Sequence, residues 1–219
     1  MSTPHATPPA ADRRTLIADT AIDLVAAAGL RGLTHRAVDG AAKLPAGSTS
    51  YYFRTRTALI GACYARLAEL DLADIGDGRA GGQGDGDGSP VLPLLPPLPA
   101  LDREAAAAAL AGLLHRWLTV GRARQLARFE LSLEAARNPE LEADFHRAGQ
   151  GARARAAGIL AALGADRPQE AAELLVGWTD GLLYDRLAGA FARSRPAPDL
   201  AELTSVARRM VDAALADPV

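Results

Sequence analysis

Residues 34–53 read Thr-His-Arg-Ala-Val-Asp-Gly-Ala-Ala-Lys-Leu-Pro-Ala-Gly-Ser-Thr-Ser-Tyr-Tyr-Phe and hold the densest set of groups able to meet an anion. Ala46 and Gly47 precede the hydroxyls of Ser48, Thr49 and Ser50. Side chains that small let a short helix lie close against another surface, such as the floor of a DNA major groove about 12 Å wide. Their hydroxyls can donate to phosphate oxygens or to base edges. The N-terminus of such a helix adds free N–H groups and a partial positive charge. Tyr51 and Tyr52 follow, with phenol tips that can reach phosphate while the rings pack. Arg56 falls in the first turn of the next helix, where a cation opposes the helix dipole, so an external anion is a reasonable partner. The chemistry these types and spacings suit is recognition of a polyanion rather than turnover.

The chain as a whole is not a polyanion binder: its 219 residues carry a net charge of −2. The basic character is local. Residues 31–56 hold Arg31, Arg36, Lys43, Arg54 and Arg56 against Asp39 alone. A small basic patch on a near-neutral body is a polyphosphate footprint, although charge clusters also simply solvate a surface. Catalysis has little to rest on. There is no HExxH, GxxxxGK[ST], GxSxG or GxGxxG before a helix. His5, His35, His115 and His146 lack metal-ligand spacing, and the single cysteine, Cys63, excludes an intrachain disulfide or CxxC pair. Neither catalytic residue, metal nor cofactor is expected. No stretch approaches the roughly 20 apolar residues of a membrane span. Residues 1–11 have no apolar core of a secretory signal, and the expected compartment is the cytoplasm.

The elements that must position these groups read as all-α. Alanine is abundant and favours helix, and no long period-2 alternation appears. Residues 1–11 are a polar, Pro-containing flexible arm. A helix is expected over Arg13–Ala28, with Ile17, Ala21, Leu24 and Ala28 on one face and Gly29 at its left-handed end. Thr34 caps a second helix from His35 to Ala42, with Val38, Ala41 and Ala42 inward. A third runs from Pro45 to Tyr52, with Pro in its first turn. Thr55 caps a fourth, whose stripe is Leu59, Cys63, Leu67 and Leu70. Two short helices behind a supporting one make a helix-turn-helix at 34–53, inside a domain of 12–72. Residues 73–100 are Gly/Asp-rich and then Pro-rich, a linker. Asp85-Gly-Asp87-Gly-Ser89 hints at a calcium loop but lacks the glycine and glutamate that an EF-hand needs at its sixth and twelfth positions. Pro93-Leu-Leu-Pro96 is a PxxP core without a flanking base.

Residues 101–219 read as a larger C-terminal helical domain. Asp102 caps a helix to Val120, with Leu110, Leu113, Leu114 and Trp117 inward. Arg122–Arg137 follows, with Leu126, Phe129, Leu133 and Ala136 on one face. Asn138-Pro139 is a stop and restart for Glu140–Leu163, ending at Gly164. Asp166 opens a helix to Arg193, and Asp199 opens the last, to Ala216.

The stretch 34–59 resembles the DNA-binding domain of the TetR (tetracycline repressor) family of transcriptional regulators. Thr34, Val38, Ala41, Ala42, Leu44, Gly47, Tyr52, Phe53, Arg56 and Leu59 carry the match, within about residues 11–72; the remainder agrees in architecture. The resemblance implies a sequence-specific, ligand-responsive repressor, working as a homodimer on a palindromic operator in double-stranded DNA. By position, it implies that Thr34 holds the second helix against a phosphate. Ala46, Gly47, Ser48 and Thr49 would face the groove, and Tyr51, Tyr52 and Arg56 would contact the backbone. His35 reads as a surface residue near DNA, with a base contact the lesser option. Three positions depart from the family pattern: Lys43 stands where Gly is usual in the turn, Pro45 replaces a frequent Ser cap, and Ser50 replaces a bulkier residue.

The resemblance also implies dimerisation through the last two helices, about Gln169–Arg193 and Leu200–Ala216. Leu174, Leu175, Trp178, Leu182, Tyr184 and Leu187 exceed one packing face, and Gly177, Gly181 and Gly189 permit close helix approach. It further implies a cavity for a small-molecule effector. Candidate walls are Trp117, Phe129, Phe145, Trp178 and Tyr184, with His115, Arg128, Glu130 and His146 as polar anchors. The fourth helix would link the two domains, with Cys63 buried on its stripe. The competing classes are a helical interaction module that binds no DNA and, with less support, an enzyme.

Overall fold

Among the described residues, alanine-rich segments punctuated by capping residues fold into helices. The computed structural model describes residues 10–76 and 101–216. In order they form α1 (Ala10–Gly32), α2 (His35–Ala41), α3 (Ser48–Tyr52), α4 (Arg56–Gly76), α5 (Arg103–Leu118) and α6 (Arg122–Ala135). A 3-10 turn, Pro139–Leu141, precedes α7 (Glu142–Ala162), α8 (Pro168–Leu187) and α9 (Leu200–Leu215). Most of the expected arm, and the 77–100 part of the linker with its calcium-loop and PxxP readings, lie outside the described residues.

Local caps fix most helix starts. Thr34 Oγ1 accepts from the Ala37 amide at 3.1 Å, Thr55 Oγ1 from Ala58 at 3.0 Å and Asp102 Oδ1 from Ala105 at 2.8 Å. Asn138 Oδ1 accepts from Glu140 at 3.1 Å and Asp199 Oδ1 from Glu202 at 2.8 Å. Each satisfies an amide that a helix start leaves without a partner. Gly29 breaks α1 with φ 65°, a backbone conformation that costs a Cβ-bearing residue more.

Several expected elements differ. α3 starts at Ser48, not Pro45; the Pro45 carbonyl instead accepts from both the amide and the hydroxyl of Ser48, at 3.1 and 2.6 Å. α8 starts at Pro168 after Arg167, which makes no side-chain cap, so Asp166 does not open it. It ends at Leu187 rather than Arg193, because the amides of Ala188 and Gly189 both turn back to the Tyr184 carbonyl, at 2.8 and 3.0 Å. A Cβ on Gly189 would lie 2.5 Å from the Asp185 carbonyl, so this glycine serves that turn and not helix approach. In α6 the buried stripe is Ala127, Leu131 and Ala135; Leu133 and Ala136 are exposed. α6 carries apolar side chains on more than one side, and periodicity alone does not choose among them. In α1 the buried set is Ile17, Ala18, Ala21, Ile22 and Val25, while Ala28 is exposed; Ala41 of α2 is exposed as well.

The chain packs as two compact units, residues up to 67 with 127–145, and 68–126 with 146 onward. In the first, Ile17, Leu33, Val38, Leu59 and Cys63 share a core unit with Leu131 and Leu141, all fully buried. Tyr64 donates its hydroxyl to the Leu131 carbonyl at 2.9 Å, and its ring centroid lies 5.3 Å from that of Phe145. Burial first, with Glu134 nearby, pushes the Tyr64 phenol up, so it stays a donor. Part of α6, the 3-10 turn and the start of α7 therefore pack with the N-terminal helices rather than with the rest of the C-terminal half.

In the second unit α5 lies along α9, and α8 touches both. Leu114, Leu160, Leu183 and Leu203 are fully buried there. Asp74, itself nearly buried, accepts from Arg116 Nε at 2.9 Å, from Trp117 Nε1 at 2.8 Å and from Arg124. The same carboxylate ties the end of α4 to α5 and α6.

Candidate nucleic-acid interface

α3 is only five residues long, too short to hold itself in water. A buried carboxylate holds it instead. Asp39 of α2 accepts from the Gly47 amide at 2.7 Å through one oxygen. Its other oxygen accepts from the Thr49 amide at 2.7 Å and the Thr49 hydroxyl at 2.6 Å. Burial alone would raise the Asp39 pKa; the hydrogen bonds from Thr49 and Gly47, with His35 nearby, carry it below the ordinary value. The ionised carboxylate thus caps α3, the place where a negative charge meets free amides.

This arrangement corrects the assignments of Thr49 and Arg56 and bears on the lesser option for His35, a base contact. Thr49 is fully buried with its hydroxyl on Asp39, so it cannot reach a base edge. Arg56 donates to the carbonyls of Leu33 and, at 2.6 Å, Leu30, so its guanidinium braces the start of α4 against the end of α1 rather than standing free for phosphate. His35 donates from Nε2 to the Phe53 carbonyl at 2.7 Å and is half-buried, a brace between α2 and the end of α3 rather than a base-reading group. Lys43 takes φ 55°, the left-handed conformation in which a side chain is strained.

What remains outward is compact. Ala46, Gly47 and Ser50 are exposed and Ser48 half-exposed around α3; Thr34 is exposed at the start of α2. Tyr51 is 80% exposed, and its ring meets Tyr52 edge-on with centroids 5.1 Å apart. Arg31, Arg36, Lys43 and Arg54 are exposed around them. The one acid of this stretch, Asp39, is buried and spent on α3, so the outer face is more uniformly positive than the sequence count implies. Asp39 was legible only as an offsetting charge, and Arg54 only as a member of the basic cluster. Arg14 of α1, whose guanidinium lies 5.8 Å from the Tyr52 ring centroid and 5.1 Å from that of Phe53, carried no signal in the helix-turn-helix stretch.

The candidate effector walls are divided between the two compact units. Phe129 and Phe145 belong to the first unit; Trp117, Trp178 and Tyr184 to the second. Trp117 is buried and bonded to Asp74. Trp178 and Tyr184 are exposed on α8, so they are not enclosed walls within one chain. Of the polar anchors, His146 bonds Gln150 at 3.0 Å on the surface of α7. Cys63 is fully buried, and burial, with Asp19 adding to it, pushes its thiol up to about 12. No helix among the described residues is long and apolar enough to cross a membrane.

The family described as tetracyclin repressor-like, C-terminal domain, matches residues 101–217. None of the curated proteins matches the sequence. Among solved structures the chain is similar to multidrug binding protein EbrR complexed with ethidium, at 28% identity and TM-score 0.61 over 90% of this chain and 98% of that one. EbrR complexed with imidazole gives 26% identity and TM-score 0.62 over 97% and 98%. A TetR-family member from Streptomyces coelicolor A3 gives 26% identity and TM-score 0.63 over 91% and 98%.

Proposed function

The chain belongs to the tetracyclin repressor-like (TetR) family of transcriptional regulators, and from that premise we propose that it is a repressor that binds a palindromic operator as a homodimer and releases it when a small molecule binds. The observation that carries the reading is the capped α3. A carboxylate-anchored short helix presents Ser50 and Tyr51 outward, follows the exposed Ala46 and Gly47, and is flanked by Thr34 and the exposed cations Arg31, Arg36, Lys43 and Arg54. In this reading Ala46, Gly47, Ser48 and Ser50 meet base edges, while Thr34, Tyr51 and Tyr52 meet backbone phosphates.

Residues 12–72 serve as the DNA-binding domain and 101–219 as the effector and dimer domain, joined by a linker. The outer face of α8 supports the homodimer. Leu174 and Tyr184 are about half exposed, and Gly177 and Gly181 have open space where a Cβ would stand. Two copies related by a two-fold axis would read half-sites about 34–36 Å apart, or a multiple of that. That EbrR holds ethidium makes planar aromatic compounds the first effectors to try. The effector would bind more tightly to a conformer whose recognition helices miss the half-site spacing. About 1.4 kcal/mol of coupling lowers DNA affinity tenfold.

The test is a mobility shift of the purified protein on its own upstream region, against a scrambled duplex. A specific shift to a palindrome, weakened by salt and reversed by an effector, is the expected result. Failure to bind the upstream region, together with no enriched site in a genome-wide selection, overturns the reading.

A further inference from the structure

Beside α3 lies an open surface cleft of about 460 Å³ lined by Arg14, Tyr51, Tyr52 and Arg54. Its polar side-chain groups are two guanidiniums and two phenols, a set rich in donors and without a carboxylate. Among the described residues, neither Arg14 nor Arg54 is paired with an acid. Two like charges facing one cleft without a counter-ion repel each other, and a bound anion removes that cost. The cleft is also ordered. Arg14 stacks over the rings of Tyr52 and Phe53 at 5.8 and 5.1 Å. That stacking fixes the guanidinium against aromatic faces and leaves its N–H edge for an acceptor. Tyr52 in turn holds Tyr51 edge-on at 90°, with the Tyr51 phenol outward.

We propose that this cleft is a seat for one backbone phosphate of double-stranded DNA, with Arg14 and Arg54 gripping the same phosphate from α1 and from the α3–α4 turn. It rests on the DNA-binding reading above and extends the contact beyond the helix-turn-helix. The phosphate is DNA's rather than a free ion's because Tyr51 belongs to α3 beside the exposed Ser50 and Arg54 lies just past the end of that helix, so a duplex lying on α3 brings its backbone past the cleft. Arg14 comes from a part of the chain that the helix-turn-helix pattern does not contain.

The experiment is a salt titration of binding to a fluorescein-labelled random-sequence duplex and to the selected operator. It compares the full chain with Arg14→Ala, Arg54→Ala and the double variant, each checked by thermal melting. Each single variant is expected to bind both duplexes about tenfold more weakly at low salt. In the double variant the slope of log affinity against log salt should become shallower by about 0.9, the share of one phosphate. Each single variant should lose less slope than that, because the remaining guanidinium still holds the same phosphate. Arg54→Lys should keep most of the slope.

Unchanged slope and affinity in both single variants, with the wild type binding DNA, overturns the phosphate seat and leaves the DNA-binding reading standing. A loss confined to the operator overturns it in favour of a base contact. Displacement of the duplex by inorganic phosphate at constant ionic strength, seen in the wild type and not in Arg54→Ala, overturns the DNA source in favour of free phosphate. A wild type that binds neither duplex removes the DNA-binding reading itself.

Discussion

A single buried carboxylate decides whether the recognition helix exists. Asp39 accepts three hydrogen bonds from α3 residues, and the hydroxyl of Thr49 is fully taken up in the arrangement. Asparagine keeps the shape but turns an N–H toward an N–H. Asp39→Asn should therefore cost about 2 kcal/mol of stability, the scale of hydrogen bonds to a charged group, and weaken binding to every DNA sequence alike. Thermal melting and duplex binding check both. Because the folded-state pKa is held below the ordinary 3.8, the Asp39 contribution is complete above that value. It is lost as pH falls through the lower folded-state pKa; the variant should show a shallower acid limb. Lys43 makes the opposite case. At φ 55° its side chain is strained by about 1–2 kcal/mol, while glycine costs roughly 0.5–1 kcal/mol more chain entropy. Lys43→Gly should raise the melting temperature, with a net gain of about 0.5–1 kcal/mol, and reduce DNA affinity slightly through the lost charge.

Among elements, the short ones are held by braces from outside themselves. α2 and α3 are tied by Asp39, α2 to the end of α3 by His35, and the start of α4 to the end of α1 by Arg56. At its other end α4 is tied by Asp74 to Arg116, Trp117 and Arg124. Asp74 and Arg124 are both largely buried, with side chains 7% and 16% exposed. Removing one partner of such a pair leaves a charge that water reaches poorly, which costs about 3–5 kcal/mol. Asp74→Ala should therefore lower stability by about 3 kcal/mol, the low end because Arg116 is half-exposed. Chemical denaturation measures it. A loss below about 1 kcal/mol would mean that the cluster is solvated.

For the molecule as a whole, the outer face of α8 is the feature that one chain leaves unexplained. Leu174, Trp178 and Tyr184 are 52%, 39% and 51% exposed along a helix whose other face is packed in its own unit. An isologous dimer would cover them. Leu174→Glu places a charge in that face and should give a monomer by light scattering at micromolar concentration, with helix content unchanged. Its operator affinity should fall far more than its affinity for a single half-site, since two linked half-sites act at high effective concentration. A wild type that is already monomeric would remove the dimer from the proposal. The division into compact units also belongs to this scale. Residues 127–145, far along the chain, pack with the N-terminal helices through Leu131, Leu141 and the Tyr64 hydroxyl.

The sequence by itself determined what depends on a few neighbouring residues. The all-α class followed from propensity and period. The starts of α2, α4, α5 and α9 followed from Thr34, Thr55, Asp102 and Asp199, because a cap and the amide it satisfies lie three residues apart. The left-handed turn at Lys43 falls where the family resemblance puts a glycine. Tertiary structure alone decided which polar groups remain available. Thr49 meets Asp39 across ten residues, Arg56 meets Leu30 across 26, and Tyr64 meets Leu131 across 67. Whether a hydroxyl or a guanidinium faces water or a carbonyl depends on how loops close and helices rotate, and spacing along the chain does not record that. The same cause turned the buried face of α6 toward Leu131 rather than Leu133, and brought Arg14 to the rings of Tyr52 and Phe53.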